Sequence, residues 1–381
     1  MANYFNTKAV HFQKNDGEKN VSKAKPIYQT SAFTFQDLDD MEQYFSGEKE
    51  HLYTRYSNPN SDDLGHGTAE LEEAPTGLAT SSGMSAILAG VLAAVKPGEH
   101  MIVPLDLYGG TYQLFQTELQ EWGIEVSIID FRDLQNVKQA IQPNTVLLYA
   151  ESVTNPLLRM EDIAGLVAMA AERDGMRVMI DNTFPTPYLL KPYTLGADLV
   201  VHSATKYIGG HSDVSAGVLI GGEELIGKAK KRMISMGSNL SPFESWLACR
   251  GLKTLGLRMQ SQSDNAARLA EWFQESGSAE QVFYPEGLSE HGNGAMVSVN
   301  LSDAYDIKTF FASLQWIKIM PSLAGVETTV SYPVNTSHRT VPEDIRSALG
   351  ISVQTVRISV GIEDSRDIIS VFSQALEAAK K

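Results

Sequence analysis

Between Gly77 and Gly221 the chain repeats one pattern, a short β-branched run followed by a longer stretch with helical spacing. The runs are GLATS, MIVP, EVSII, TVLLYA, RVMIDN, DLVVHS and GVLIG. Strands that alternate with helices predict a mostly parallel sheet wrapped by helices, because each parallel crossover needs an element to return the chain. The runs are apolar on both parities, as strands covered on both faces must be. Such a sheet binds ligands at the carboxyl ends of its strands. The residues that follow each run are therefore where chemistry is expected.

The flanking segments read differently. Residues 1–57 are polar, aromatic and irregular, with QTSAFTF the only strand-like piece, and predict an arm rather than a core. The large α/β domain is expected over 58–240, and a smaller C-terminal α+β domain over 241–381. In the latter, a long helical stretch from Ser241 to Gln274 precedes MVSVNL, TTVSY and TVRISV. These three runs alternate apolar and polar residues and predict a sheet with one solvated face. A chain of 381 residues is too long for one simple core, and its 43% hydrophobic and 20% charged composition is that of an ordinary globular protein.

Several function classes are excluded by composition. The formal net charge is −15 and the basic residues are scattered, so a nucleic-acid backbone is repelled. The N-terminal MANYFNTKAVHFQ lacks an apolar signal core, and the apolar stretch from Ile87 to Val95 is too short to span a bilayer; no membrane partner and a cytoplasmic location are expected. Cys249 is the only cysteine, which rules out internal disulfides and cysteine metal clusters and predicts a buried structural thiol. No HExxH spacing occurs, and no metal is expected. GEELIGKA, Gly222 to Ala229, nearly fits a phosphate-binding P-loop, but Ala229 stands where a hydroxyl must bind magnesium and the stretch reads as helix. No GxGxxG follows a strand, which excludes the dinucleotide fingerprint.

The strand ends carry a more coherent set. After GLAT comes SSGMSAILAGVLAAV, where Ser81, Ser82 and Gly83 open an apolar helix. Small residues there let backbone N–H groups approach an anion, which the helix dipole favours, although a plain N-cap explains them equally. After MIVPLD comes LYGGTY, in which Tyr108 can stack on a flat ring or donate a proton, or simply pack on a loop. ESVTNP puts Asn155 in a turn before Pro156. RVMI runs into Asp181, a carboxylate that needs a partner at the end of a buried strand. DLVVHS then delivers Ser203, Thr205 and Lys206. An anion cradle, a ring-stacking tyrosine, a carboxylate for a ring N–H⁺ and a lysine able to bond an aldehyde are together what pyridoxal 5′-phosphate (PLP) requires.

These stretches resemble the Cys/Met-metabolism (transsulfuration) family of PLP-dependent enzymes. DLVVHSATKYIGGHS is similar to the family's lysine motif throughout. The likeness runs from about Pro26 to the C-terminus through YTRYSNP, SSGMSAI, DLYGGTY, IDNTFPTPY, SLAGVET and VRISVGIED. The resemblance implies a type I, aspartate-aminotransferase-like fold and a homotetramer of close dimers with shared active sites. It implies that Tyr53 and Arg55 reach the cofactor phosphate of a neighbouring subunit. Gly83 and Met84 would supply phosphate-binding amides, Ser203 and Thr205 hydroxyls, Tyr108 a stacking ring, Asp181 a partner for the ring nitrogen, and Lys206 the covalent anchor. Arg357, whose alternating strand by itself reads as exposure on a polar face, is implied to hold the substrate α-carboxylate, with Asn155 and the backbone near Ser322 completing the clamp.

The implied activity is loss of a β- or γ-substituent from an amino acid, or its γ-replacement by a thiol, with Lys206 shuttling protons and Tyr108 assisting the leaving sulfur. The core motifs do not separate the family's reactions. Gly110 stands where methionine γ-lyases carry cysteine, and Pro321 where many γ-lyases and bacterial γ-synthases carry glutamate. Val153 replaces a usual proline and is expected to loosen the Asn155 turn; the segment 284–299 is shorter than in many relatives. The expectation is γ-elimination or γ-replacement at cystathionine or O-acylhomoserine. The alternatives are a cystathionine β-lyase, an O-acylhomoserine sulfhydrylase, a methionine γ-lyase or, in a different class, a catalytically silent amino-acid-binding protein. Joint retention of Lys206, Asp181, Tyr108 and Arg357 argues against the last.

Overall fold

The computed structural model describes residues 4–13, 22–339 and 341–381. Seven strands form the main sheet: β1 (Thr76–Thr80), β2 (His100–Pro104), β3 (Glu125–Ile129), β4 (Thr145–Glu151), β5 (Arg177–Asp181), β6 (Leu199–His202) and β7 (Gly217–Gly221). Their order is β1-β7-β6-β5-β4-β2-β3. The pairings from β6 across to β3 are all parallel, whereas β7 runs antiparallel to both β6 and β1. The sheet is therefore mostly parallel, as the alternation predicts, and each of the seven runs supplies one strand.

Both faces are covered. Met101, Val103, Tyr149, Met179, Val201 and Leu219 pack on one side against the helices Gly83–Ala94 and Glu223–Met236. Ile102, Leu148, Ile180, Val200 and Ile220 pack on the other, in a cluster shared with the helices Pro59–Glu72 and Pro242–Leu252. The near-P-loop stretch lies inside the helix Glu223–Met236. Cys249 is buried, and burial pushes its thiol up.

The second sheet adds β8 (Ala279–Phe283), β9 (Met296–Leu301), β10 (Lys318–Ile319), β11 (Thr329–Ser331) and β12 (Thr355–Ser359), in the order β10-β11-β12-β9-β8. Here the expectation of a solvated face is overturned: every residue of β9, β11 and β12 is buried. Part of the polar parity meets the large domain, where Ser298 and Arg357 find partners, while the buried Thr329 and Ser331 hydroxyls on the same face have none among the described residues. Ser298 donates to the Pro156 carbonyl, and Arg357 donates to Asn155. Ser359 accepts the Ala324 N–H within its own domain. The polar alternation thus marks an interdomain face.

The N-terminal segment is more ordered than its composition suggests. Residues Phe5–His11 form a helix, and Ala9 and Phe12 join the main core. QTSAFTF makes only one bridge, Ala32 to Tyr53. Leu38–Phe45 is a helix, N-capped by Asp37, with no buried residue.

Close backbone approach decides where glycine is required. The helix Pro59–Glu72 lies on β1 so tightly that a Cβ at Gly65 would sit 2.5 Å from the Gly77 carbonyl oxygen. Gly227, inside the helix Glu223–Met236, faces open space. The two positions should respond with opposite sign. Gly65→Ala is expected to destabilise by about 1–3 kcal/mol through overpacking, and Gly227→Ala to stabilise by about 0.5–1 kcal/mol through helix propensity. Denaturant midpoints at unchanged m-value read both effects, and an unaltered midpoint in Gly65→Ala would refute the packing argument.

Candidate active site

A cavity of ≈ 200 Å³ opens at the carboxyl ends of the parallel strands, where β1, β4, β5 and β6 release the chain. Its floor begins at the turn after β1. Ser82 is extended (φ −165°) and N-caps the helix Gly83–Ala94, its hydroxyl accepting the Ser85 N–H. Gly83 faces Ser203 across the turn so closely that a Cβ would lie 2.8 Å from the Ser203 Cβ. Without one, the first N–H groups of the helix stay open toward the cavity, a geometry that suits an anion. Met84, Ser203 and Thr205 line the same end. Thr205 Oγ1 accepts the Ala216 N–H at 2.9 Å and donates back to its carbonyl at 3.1 Å, which fixes the segment leading to Lys206.

Asp181 ends β5. Its Oδ1 accepts two hydrogen bonds from Thr183, from the backbone N–H at 3.0 Å and the hydroxyl at 2.5 Å. Burial raises its pKa, and the Thr183 bonds oppose that shift. Lys206 reaches across to the small domain, where its Nζ donates to Ser322 Oγ at 2.7 Å. Burial, then the nearby Arg357 charge, lower its pKa to about 8.

Arg357 is 2% exposed and donates through one terminal nitrogen to Asn155 Oδ1 at 2.7 Å; its buried Nε has no partner. Burial lowers it to about 10. Asn155 is 4% exposed. The Asn155 turn is not loosened by Val153: it is closed by Thr154 N–H to Arg159 O at 2.9 Å and Leu158 N–H to Thr154 O at 3.1 Å. Those bonds are made by the backbone on either side of Pro156, so they form with valine rather than proline at 153.

Tyr108 stands at the mouth, 45% exposed. Its ring lies over Gly110, where a Cβ would come 2.6 Å from the ring Cε1, so a side chain at 110 displaces the tyrosine. Pro321, Leu323, Phe184 and Ser337 complete the rim.

The cavity therefore gathers Gly83, Met84, Tyr108, Asn155, Asp181, Ser203, Thr205, Lys206 and Arg357, with Ser322 bonded to Lys206. Tyr53 and Arg55 are not brought in by this chain. The Arg55 guanidinium lies 5.9 Å and 5.1 Å from the ring centroids of Tyr53 and Tyr56 and donates to the Ile234 carbonyl. Sequence reasoning missed Glu151, which lines the cavity and accepts the Tyr108 N–H at 2.7 Å. As the last residue of β4, it was open to the strand-end rule used for Asp181. Thr183 was also missed; its signal is a hydroxyl two residues after a buried aspartate, the position that closes a local turn on the carboxylate.

These residues fit PLP. The open helix start suits its phosphate, the buried Asp181 its ring nitrogen, and Lys206 its aldehyde; the orphaned Arg357 Nε offers a further donor to a carboxylate. A mostly parallel α/β sheet with this set at its strand ends defines a PLP-dependent enzyme of type I fold. The chain belongs to the Cys/Met metabolism PLP-dependent enzyme family, which it matches over residues 6–377. It is 38% identical to the cystathionine gamma-lyase of Bacillus subtilis (strain 168) and 37% identical to the cystathionine beta-lyase of Lactococcus lactis subsp. cremoris (strain MG1363); each match covers 97% of this chain and 98% of the relative. A Campylobacter jejuni protein assigned as an O-acetylhomoserine (thiol)-lyase, solved with N′-pyridoxyl-lysine-5′-monophosphate, superposes at a TM-score of 0.91 with 27% identity, covering 98% of this chain and 99% of that one.

The Lys206 environment gives a pH dependence. Burial and the Arg357 charge both disfavour the ammonium form, so in cofactor-free protein the amine is half protonated near pH 8 rather than 10.5. Its labelling by an amine-selective reagent should rise as pH increases through about 8. Arg357→Met removes the repelling charge and should move that midpoint upward; a midpoint that stays put would show that Arg357 does not act on Lys206.

Proposed function

We propose that this chain catalyses γ-elimination or γ-replacement on cystathionine or an O-acylhomoserine, as a cytoplasmic homotetramer whose active sites are shared between neighbouring subunits. The observation that carries the reading is the meeting of Lys206, Ser322, Arg357 and Asn155 at one cavity. An amino acid whose carboxylate is gripped by the Arg357 fork presents its α-carbon toward the lysine amine.

The residues divide the work by position. Gly83 and Met84 offer backbone N–H groups to a phosphate, supported by the Ser203 and Thr205 hydroxyls. Tyr53 and Arg55, turned away from this chain's own cavity, serve the phosphate in a neighbour. Asp181 keeps the ring nitrogen protonated, and Tyr108 covers the ring face. PLP, when bound, stores the negative charge released at the substrate's α-carbon.

Lys206 takes the α-proton as a free amine, gives it up elsewhere and, as a free amine again, takes a β-proton, whose loss lets the γ-substituent depart. A depressed pKa suits this role, because a useful fraction of the amine is unprotonated near neutral pH. The Tyr108 hydroxyl, at the mouth, can protonate a departing sulfur. Arg357 and Asn155 hold the carboxylate still throughout, which keeps the reacting atoms in register.

The lean toward the γ-carbon rests on the short 284–299 segment, and Gly110 counts against methionine as the substrate. Relatives named for γ- and for β-cleavage match at nearly equal identity, so product analysis decides. L-Cystathionine is expected to give 2-oxobutyrate and cysteine; pyruvate and homocysteine would make the chain a β-lyase. Lys206→Ala should lose the visible cofactor band and reduce turnover by about 10²–10⁴-fold or more. Full activity in that variant would overturn the assignment.

A further inference from the structure

The roles above leave one buried acid of the cavity without a task. Glu151 is 6% exposed and ends β4. Its Oε1 accepts the Tyr108 backbone N–H at 2.7 Å. In the parallel pairing of β4 with β5, Glu151 stands opposite Asp181, so both side chains leave the same face of the sheet and both line the cavity.

Two carboxyl groups side by side in a dry site do not both ionise, and the pair holds one proton. The hydrogen bonds select its position. Asp181 accepts two from Thr183, whereas Glu151 accepts one from the Tyr108 backbone. Extra donors favour the ionised form, so the charge rests on Asp181 and the proton on Glu151. The surrounding groups agree. Tyr149 on β4 is neutral, Asp106 is a like charge, and His202 on β6 favours the Asp181 anion. Arg159 is the cation that acts on Glu151, but it is already forked to Asp106 and Glu161. Lys206 and Arg357 lie across the cavity, bonded to Ser322 and Asn155. Burial and the Asp181 charge push the Glu151 carboxyl well above the usual carboxylate range.

We infer that Glu151 is a positioning residue that works as a neutral acid: it anchors the Tyr108 backbone, and so the ring, without adding a second negative charge beside Asp181. The inference rests on the proposed cofactor role of the cavity. The parent protein's visible cofactor band tests that role separately.

Glu151→Gln and Glu151→Ala, both studied as reconstituted holoenzymes, test the inference. The readouts are the dissociation constant for pyridoxal 5′-phosphate from about pH 6 to about pH 9, the absorbance band, and kcat and KM with L-cystathionine. Glutamine keeps an acceptor for the Tyr108 N–H and carries no charge, so cofactor affinity and kcat should stay within about threefold of the parent with an unchanged pH profile. Alanine removes the anchor, so kcat should fall by about 10²-fold while KM changes less and the cofactor stays bound. If glutamine is as damaging as alanine, shifts the pH profile or abolishes folding, Glu151 works as an anion and the inference fails. Alanine behaving as the parent also ends it, since Tyr108 would then be held by something else. If alanine does not fold, glutamine decides alone; if L-cystathionine is not turned over, affinity and band carry the test.

Discussion

The site depends on how four ionisable side chains are kept dry around one cavity. Among the described residues, Lys206, Arg357, Asp181 and Glu151 make no ion pair with one another or with any other side chain. Each is held by a neutral group instead: Ser322, Asn155, Thr183 and the Tyr108 N–H respectively. Buried charges normally cost several kcal/mol per ion unless matched. Neutral partners reduce that cost without cancelling the charges. In the proposed function this leaves the Arg357 guanidinium available to a carboxylate, the Lys206 amine to an aldehyde and Asp181 to a protonated ring, which is the preorganisation that makes electrostatic catalysis effective.

Holding charges in this way needs a stiff frame, and the two sheets supply it together. Asp181 and Ser203 follow buried parallel strands with no freedom to shift independently. Arg357 and Ser322 come from the other domain, so both cation contacts cross the domain boundary. The small domain is itself tied to the long helix Leu255–Ser276 by buried amides. Gln262 donates to the carbonyls of Gly325 and Val360, and Asn265 to those of Gly361 and Glu363. These four bonds fix Gly325, just before β11, and the turn just after β12. Behind the cavity floor, Asn182 is held by Glu72 and Ser152, while Glu72 also meets His202. Polar networks buried at both ends of the site set its dimensions.

Much of this was legible in the sequence because it follows from period and position. Strands apolar on both parities force a covered parallel sheet, and that sheet fixes where Asp181 and Lys206 emerge. What failed was reasoning from one element at a time. The polar parity of β12 reads as solvent-facing until a second domain is laid against it, and only then does Arg357 become a buried donor. Glu151 reads as part of the strand leading to the Asn155 turn, and only the fold shows that, as the last residue of β4, it stands beside Asp181. Tyr53 and Arg55 carry no local signal that would place them away from this cavity; the Arg55 hydrogen bond to the Ile234 carbonyl depends on packing far along the chain.

Pro321 and Gly110 stand at the mouth of the cavity, where the sheet imposes least. Pro321 is exposed there and has no donor to offer a substrate. Its effect passes through the backbone. The ring fixes its own φ and restricts Met320 before it, while the Met320 N–H is tied to Val330 O at 2.9 Å. Ser322 therefore leaves β10 in a constrained direction, and Ser322 is the group that holds the Lys206 amine. A proline here acts on the backbone that aims Ser322 at the Lys206 amine. Gly110 acts similarly on Tyr108 by leaving room for its ring. In this chain, positions 110 and 321 act on the aim of two side chains they do not replace, the Tyr108 ring and, through Ser322, the Lys206 amine.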